Sequence, residues 1–442
     1  MLNNIFEYPF LIRILNEILN DEDKIKIIEL NKFFNDKRTK FTYDKQLKIK
    51  KEDQQKWYYN CLTNVIVKNI FKFPKSVHFL KFDDNFNQSI KDGIPNSVTN
   101  LTFGYGFNQS IQNNIPNSVT NLTFGNNFNQ NIQNNIPNSI IHLEFGDNFN
   151  QNIQNNIPTS VIYLKFGYEF NQNIQNCIPN SVTHLTLGDN FNHPIENCIP
   201  NSVIYLEFGY EFNQNIRNNI PNSLKYLILG KKFNQPIQNN IPNSTSHLTW
   251  DSEFTENIQN KIPNSVTHLT FGDYFDKDIE NCVPNSVTHL TFRESFDRPI
   301  QNCIPNFVVY LEFGSCFNQN IENCIPNSVV YLEFGWYFNQ KITNCIPNSV
   351  EYLMFGCKFN QSLKDGIPNS VTHLTLGYHF NQNIDDLPNS IIRLNITNID
   401  FKKETKFPSS LKYLFCSKEF YEINKQKLKN IKVKINSNKN AG

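Results

Sequence analysis

Residues 263–273 read PNSVTHLTFGD, and residues 326–335 read PNSVVYLEFG. The two stretches share one frame, and the sixth residue of that frame is His in the first and Tyr in the second. The opening proline returns in steps of 21 residues from Pro74 to Pro368, and then twice more in steps of 20. A sequence motif that repeats with a fixed period is stronger evidence of the fold than local signals of secondary structure, because it predicts a stacked array of similar units.

We number each repeat from its proline, which is place 1. Place 4 is usually Val or Ile, place 7 is Leu, place 9 is usually Phe, and places 17 and 21 are usually Ile. Place 13 is Phe in all fifteen strict repeats, from Phe86 to Phe380. One repeat cannot enclose about six apolar side chains, whereas stacked neighbours bury them as a continuous column. We therefore expect places 4, 7, 9, 13, 17 and 21 to form the core.

Residue types also predict the local structure of each repeat. Places 5–9 alternate between core and solvent and are rich in β-branched and aromatic residues, which predicts a short strand. The usual Gly at place 10 is expected to end the strand by adopting a positive φ, and the proline belongs at a corner outside the sheet. Places 13–21 are rich in Asn and Gln, which predicts extended or single-turn 3₁₀ structure. Asn at places 2, 14 and 19 is expected to bond backbone groups of the next coil.

The frame F-N-x-x-I-x-x-x-I-P resembles the FNIP repeat, a relative of the leucine-rich repeat, over about residues 74–420. The resemblance implies a leucine-rich-repeat-like β-solenoid of about 17 coils of 21 residues, with one short parallel strand in each coil. At about 4.8 Å per strand, the sheet would be roughly 80 Å long. Phe replaces the third Leu of the leucine-rich pattern and a dependable Asn is missing, so the curvature of the solenoid stays open.

Residues 1–70 carry no repeat, and their apolar spacing predicts a small helical region. One interpretation is a helical cap on the first coil. Alternatively, Pro9-x-Leu11, an Ile-Leu pair, Asp-x-x-x-Ile and NKFF at 31–34 are similar to an F-box, which is found joined to FNIP repeats in amoebae and in giant viruses of amoebae. This resemblance implies docking onto a Skp-type adaptor of a cullin-RING ubiquitin ligase. The docking residues would be Pro9, Leu11, Ile14, Leu15 and Ile18.

Charge divides the chain into three parts: a 1–70 region, a 71–420 solenoid and a basic 421–442 cap and tail. Residues 401–442 hold 11 basic and 3 acidic residues, while residues 71–400 hold 17 basic and 27 acidic residues. The acidic middle argues against a nucleic-acid partner. No run approaches the roughly 18 apolar residues of a membrane span, and the N-terminus is unlike a signal peptide. We expect an intracellular protein, in the cytoplasm (of the host, if viral), without a membrane partner.

Places 6 and 8 of each strand should face solvent. Six of the nine histidines lie at place 6, where Tyr is the common alternative. The rings could simply stack and cover the sheet, could form a protein-binding face, or could hold zinc, for which a straight line of ligands is poor geometry. The predicted target-binding residues are His247, His268, His289, Tyr310, Glu312, Tyr331, Glu333 and Tyr352.

Six cysteines share place 20, where other repeats carry Asn or Gly. The exchange of Cys with Asn favours a structural thiol in a small slot, with redox or metal use as the alternative. The chain contains no G-x-S-x-G, phosphate-binding loop, H-E-x-x-H or EF-hand pattern. We therefore predict a non-enzymatic protein without a cofactor or a metal.

The sequence thus predicts a protein-interaction module, with its solenoid binding an unknown target for a Skp–cullin–F-box type ubiquitin ligase. The alternative is a structural or scaffolding repeat protein with no role in ubiquitin transfer.

Overall fold

The structure is a computed structural model that describes residues 47–49, 64–70, 73, 76–250 and 258–436. It divides into two compact units, Met1–Gln214 and Asn215–Gly442. Each unit is a parallel β-solenoid, and together they hold about 17 turns of about 21 residues. The predicted fold class, a β-solenoid with one short parallel strand per coil, is confirmed.

In the first unit, each described strand pairs in parallel with the next strand along the chain, usually 21 residues away. The strands are β1 Leu47–Ile49, β2 Asn64–Val67, β3 Phe79–Phe82, β4 Asn100–Thr102, β5 Asn121–Thr123, β6 His142–Glu144, β7 Tyr163–Lys165, β8 His184–Thr186 and β9 Tyr205–Glu207. The helical region predicted for 1–70 lies largely outside the described residues, and the two segments of it that are described contain the strands β1 and β2.

The second unit repeats this arrangement and ends with a short helix and a last strand. Its elements are β10 Tyr226–Leu229, β11 His247–Trp250, β12 His268–Phe271, β13 His289–Phe292, β14 Tyr310–Glu312, β15 Tyr331–Glu333, β16 Tyr352–Met354, β17 His373–Leu376, β18 Arg393–Ile396, β19 Tyr413–Cys416, α1 Lys418–Asn424, a 3₁₀ turn Lys425–Leu428 and β20 Lys432–Ile435.

The predicted core places are buried in both units. Place 13 is represented by Phe149 and Phe338, which are both fully buried. Phe rings at this place stack from coil to coil, as Phe317 and Phe338 do with ring centres 6.1 Å apart. Within one coil, place 9 stacks on place 13, as Phe334 does on Phe338 at 3.9 Å. The core is therefore a double column of rings in most coils, with a buried Leu at place 9 in a few of them, such as Leu187. Burial in a single coil could not provide this packing.

The expected role of the glycine at place 10 is wrong. No described glycine has a positive φ. Instead, a Cβ on Gly335 would overlap the carbonyl oxygen of Gly314 in the preceding coil, so place 10 needs glycine for close backbone approach. The left-handed conformation falls on place 19, where twelve Asn and two Asp have φ between 53° and 61°. Asn and Asp are the side chains that tolerate this conformation best.

Asn at place 14 forms the predicted ladder between coils. The Oδ1 atom of Asn108 accepts the N–H of Asn129 at 3.0 Å and the amide of Gln130 at 2.8 Å. Asn129 repeats both bonds to the next coil. These amides satisfy backbone donors where the chain is extended and has no sheet partner.

The Phe column of the second unit is closed by α1. Ser417 caps this helix by accepting the N–H of Phe420 at 3.2 Å. Phe420 is fully buried, with its ring centre 5.3 Å from that of Phe401. The helix therefore replaces the next coil at this end of the Phe column.

Candidate functional site: the ring column of the strand face

The strand register brings six of the predicted target-binding residues into one column on the solvent face of the second unit. His247, His268 and His289 occupy equivalent positions on β11, β12 and β13, and the tyrosines follow on β14, β15 and β16. We call these six residues the ring column: His247, His268, His289, Tyr310, Tyr331 and Tyr352. Its rings are partly or largely exposed, while the Leu that follows each ring is buried. The alternation of the strand therefore presents the rings to solvent.

The three histidines form a parallel stack. Their ring centres are 4.1 Å apart at both steps, with interplanar angles of 15° and 13°. Each ring nitrogen Nδ1 lies 2.9–3.0 Å from the hydroxyl of the residue just before it, which is Ser246, Thr267 or Thr288. The same hydroxyls also lie 3.2–3.4 Å from a carbonyl of the preceding coil. Each imidazole is therefore held in place by its own strand.

The tyrosines are held differently, by carboxylates two residues later. Tyr310 donates to Glu312 at 2.7 Å, and Tyr331 donates to Glu333 at 2.5 Å. The two rings stack with their centres 4.5 Å apart. The structure therefore brings Glu312 and Glu333 onto this face beside the rings, as predicted from their places in the strand.

The hydroxyl partners of the histidines were missed in the sequence, although the signal is present. Five of the six histidines at place 6 follow a Ser or Thr, and in each case the hydroxyl lies 2.8–3.0 Å from Nδ1. The exception is His142, which follows Ile141 and instead lies 3.9 Å from Glu144. Where the ring of the column is His, its hydrogen-bond partner is the hydroxyl of the preceding residue. Where the ring is Tyr310 or Tyr331, the partner is a glutamate two residues later.

Burial and neighbouring rings set the charge of the column. Burial, and then the imidazoles on both sides, lowers the pKa of His268 to about 4, and burial also lowers the pKa of His247. Burial and the bond to Glu333 raise the pKa of Tyr331. Burial raises the pKa of Glu333, and the nearby Glu312 adds to this effect. Near neutral pH, His268 is therefore uncharged and the tyrosine part of the column lies beside carboxylates.

The cysteines at place 20 lie in turns, away from this face. Cys282 and Cys303 donate to carbonyls two residues earlier, at 3.3 and 3.2 Å, and burial raises the pKa of both thiols to about 11. All nine described cysteines are free thiols. These contacts favour the structural interpretation, since a raised pKa reduces the thiolate that redox or metal chemistry needs.

Two breaks in the repeat frame have different outcomes. Trp250 takes place 9 and is fully buried in the core, where it pairs with Phe271. Phe307 takes the place of the usual Ser and is 61% exposed, which is unusual for so large an apolar side chain.

The described part of the chain contains no cluster of metal-ligating side chains. In that part of the chain, no three or more His, Cys, Asp or Glu side chains come together so that they could hold a metal ion. The described helical segments include none with the length and apolarity that crossing a membrane requires. The five predicted adaptor-docking residues, Pro9 to Ile18, lie outside the described residues.

Parallel strands stacked at one per 21-residue coil, with a buried Leu and Phe column and a polar, ring-bearing face, define a leucine-rich-repeat-like solenoid. Folds of this class generally bind protein partners on extended faces. A family model described as FNIP Repeat matches residues 69–106, 107–148, 128–169, 170–211, 212–250, 256–293, 279–316, 317–358 and 359–386. The chain belongs to the FNIP-repeat family.

Several solved structures match the chain. CroV588, described as a novel circular LRR protein structure, is 40% identical over 85% of this chain, with a TM-score of 0.60. The chain spans 66% of the length of that protein. YopM from Yersinia enterocolitica WA-314 is 16% identical over 80% of this chain and 78% of its own, with a TM-score of 0.40. No curated protein matches the chain.

Proposed function

We propose that the chain is a target-recognition protein whose ring column binds a partner protein. The observation that carries this proposal is the order of the column: six rings on six neighbouring strands, each at the same place in its strand. Five of them are within 6.3 Å of the next ring, and five have a hydrogen-bonding group of a residue one or two positions away in the sequence. Rings that are already ordered lose little conformational entropy on binding, which favours recognition.

The size and composition of the column support a protein partner. Six strands at about 4.8 Å cover about 24 Å, which is the width of an ordinary interface patch. Tyrosine with interspersed charge is common in recognition patches. Glu312 and Glu333 give one half of the face acceptors for basic or hydroxyl groups of the partner. The stacked imidazoles give the other half a flat surface.

We further propose that the partner is delivered to a Skp–cullin–F-box type ubiquitin ligase. This part rests on the F-box-like sequence of the N-terminal segment, in which Pro9, Leu11, Ile14, Leu15 and Ile18 would contact the Skp-type adaptor. In this arrangement the solenoid selects the target and the N-terminal segment recruits the ligase. The chain itself would contribute binding and positioning, not chemistry.

The two parts of the proposal are tested separately by affinity capture and mass spectrometry. The full chain is compared with a chain that lacks residues 1–70 and with six single Ala variants of the ring column. Recovery of a Skp-type adaptor with the full chain but not with the shortened chain supports the ligase role. Equal recovery of a target by all six Ala variants, at unchanged melting temperature, would contradict recognition by the ring column.

A scaffold without a ligase role gives a different result in the same experiment. The adaptor would then be missing from the full chain as well, while target recovery would still depend on Tyr310, Tyr331 and their neighbours. Each tyrosine truncation is expected to weaken target binding by about 1–3 kcal/mol. Phe307→Ser, which restores the usual residue of the repeat, tests whether the exposed Phe307 ring also contributes.

A further inference from the structure

The last strand of the second unit leaves one edge open. β20 pairs in parallel with β19, with Lys432 opposite Tyr413 and Ile435 opposite Cys416. In a parallel ladder, alternate residues bond to opposite neighbours. The backbone N–H of Lys432 donates to the carbonyl of Lys412 at 2.9 Å, so Lys432 bonds towards β19. The N–H and C=O groups of Val433 and Ile435 therefore face away from β19. In the described part of the chain, no strand pairs with this edge.

The core side of β20 is incompletely covered. The register aligns Val433 with Leu414 and Ile435 with Cys416, and both residues of β19 are fully buried. Ile435, by contrast, is 40% exposed. Val433 and Ile435 line a groove of about 710 Å³ together with the apolar residues Leu428 and Ile431 and with the polar residues Tyr421, Glu422, Lys425, Gln426 and Lys429. The apolar column thus ends at a groove that side chains of one more strand could fill.

The outer side of the same strands is basic. The Arg393 guanidinium lies 4.4 Å from the centre of the Phe415 ring, and the Lys434 ammonium lies 5.9 Å from it. Lys432 lies 5.7 Å from the centre of the Tyr413 ring. Within the described residues, Arg393, Lys432 and Lys434 form no ion pair with a carboxylate. These cations are therefore available to an acidic partner.

We propose that the open edge of β20 binds an extended acidic segment of a partner protein, which adds to the sheet as a further strand. Alternate residues of such a segment point to opposite faces. Its apolar residues would enter the groove beside Val433 and Ile435, and its acidic residues would lie beside Lys432 and Lys434. This site uses neither the ring column nor residues 1–70, so it stands independently of the proposed function.

Charge argues against a second copy of the chain as the occupant. A second copy that placed its own β20 against this edge would bring Lys432 and Lys434 of one chain beside the same residues of the other. Like charges on neighbouring strands repel, which disfavours this pairing. An acidic segment has the opposite charge.

The test uses the full chain and three fluorescent peptides, measured by fluorescence anisotropy. The first peptide alternates glutamate and valine, the second alternates lysine and valine, and the third has four glutamates followed by four valines. The alternating acidic peptide is expected to bind about tenfold more tightly than either control. Its affinity is expected to fall as salt rises from about 50 to 300 mM, because salt screens the lysines. Equal binding of the three peptides would overturn the proposal.

Two pairs of variants locate the site. Val433→Pro removes an N–H that faces the open edge and leaves the bonds to β19 intact, while Val433→Ala shortens the side chain and keeps that N–H. We expect Val433→Pro to weaken the acidic peptide about tenfold and Val433→Ala to weaken it about threefold. The double variant Lys432→Glu with Lys434→Glu should reverse the preference to the lysine peptide, whereas Lys418→Glu, on α1, should not.

Circular dichroism and melting temperature show whether each variant keeps its fold. Unchanged peptide binding by a folded Val433→Pro variant would contradict strand addition. Light scattering tests the second-copy alternative: a mass that grows with protein concentration, and that Val433→Pro reduces to one chain, would assign the edge to self-association and overturn the proposal.

Discussion

The histidine strands β11–β13 and the tyrosine strands β14–β16 rest on the same buried columns but present different chemistry on the same face. The described Leu and Phe residues at places 7 and 13 are at most 1% exposed in both regions. Above them, hydroxyls of the preceding residue contact the imidazoles, whereas carboxylates two residues later accept from Tyr310 and Tyr331. The comparison shows that residues at the buried places determine the backbone framework. Residues at places 5, 6 and 8 determine the chemistry of the exposed face and can differ without a change in that framework.

The two regions also differ just after the strand. β12 and β13 have four residues, and Arg293 at place 10 donates its N–H to Phe271 at 2.9 Å. β14 and β15 have three residues, and Phe313 donates instead to Glu333 in the following coil at 2.9 Å. Glycine is needed in the second arrangement because the backbones approach closely at place 10.

The largest expected effect is the same in both regions. Phe296→Ala, beneath the histidine strands, and Phe338→Ala, beneath the tyrosine strands, should each cost about 3–5 kcal/mol, because each removes a fully buried ring. Hydrogen exchange should show the loss of protection in the altered coil and its neighbours, with distant coils of the unit still protected. A large inequality between the two variants, or uniform loss along the unit, would show that the columns are not equivalent.

The next effect should separate the two regions. Gly335→Ala should cost about 2–3 kcal/mol, because the new Cβ overlaps the carbonyl oxygen of Gly314 and the coil must shift. Arg293→Ala at the same place should cost less than about 1 kcal/mol, since a side chain is already accommodated there. Thermal unfolding of the two variants measures the difference, and equal melting temperatures would refute the close-approach role of glycine.

A smaller effect concerns the tyrosine hydroxyls. Tyr331→Phe should cost about 1 kcal/mol, because it removes the bond to the partly buried Glu333. It should also raise the pKa of Glu333 further, which carboxyl NMR can follow. Tyr352→Phe is the matched control, since within the described residues the Tyr352 hydroxyl donates no hydrogen bond. The same loss in both variants would indicate a packing effect alone.

The smallest effect is a pH dependence of the histidine strands. The pKa of His268 in the folded chain is about 4, against 6.5 ordinarily, so the unfolded chain binds the proton first. Stability should therefore fall as pH decreases from about 6.5 to about 4 and should not be lowered further by this group below that range. Since the ring is partly exposed to water, the change should be about 1 kcal/mol or less.

His268→Gln tests this dependence in chemical unfolding at several pH values. The slope between pH 6.5 and 4 should become smaller in this variant, whereas Tyr331→Phe should leave it unchanged. An identical slope in His268→Gln and the unaltered chain would contradict the assignment to this imidazole.

The repeat made most of the fold predictable from the sequence. Fifteen copies in one register fix which side chains share an environment, so the buried columns, the strands and the alignment of the ring column followed from the period alone. The role of place 10 did not, because a glycine before Asp or Asn predicts a turn equally well. The glycine at place 10 is in close contact with a backbone group 21 residues away. The sequence of neither coil shows how closely the two backbones approach.

Other features were present in the sequence but needed the structure to be recognised. Asn or Asp at place 19 is repeated fourteen times among the described coils, and its left-handed backbone explains why those two residue types recur there. The pairing of Ser or Thr with His is equally regular. The open edge of β20 could not be recognised in the sequence, because no local pattern tells which strand lacks a neighbour. Partner binding by the ring column remains a prediction.

The bonds between neighbouring coils have a consequence for how such a chain can change. The Ser328 hydroxyl donates to a backbone carbonyl 20 residues earlier. The backbone N–H of Asn339 donates to the side-chain oxygen of Asn318, 21 residues earlier, and the side-chain amide of Gln340 donates to the same oxygen. A deletion or duplication of one whole period would therefore reconnect every donor with an acceptor of the same kind. Unequal recombination within the gene can add, remove or reorder rings on the surface without repacking the interior, so new binding faces can arise in single steps.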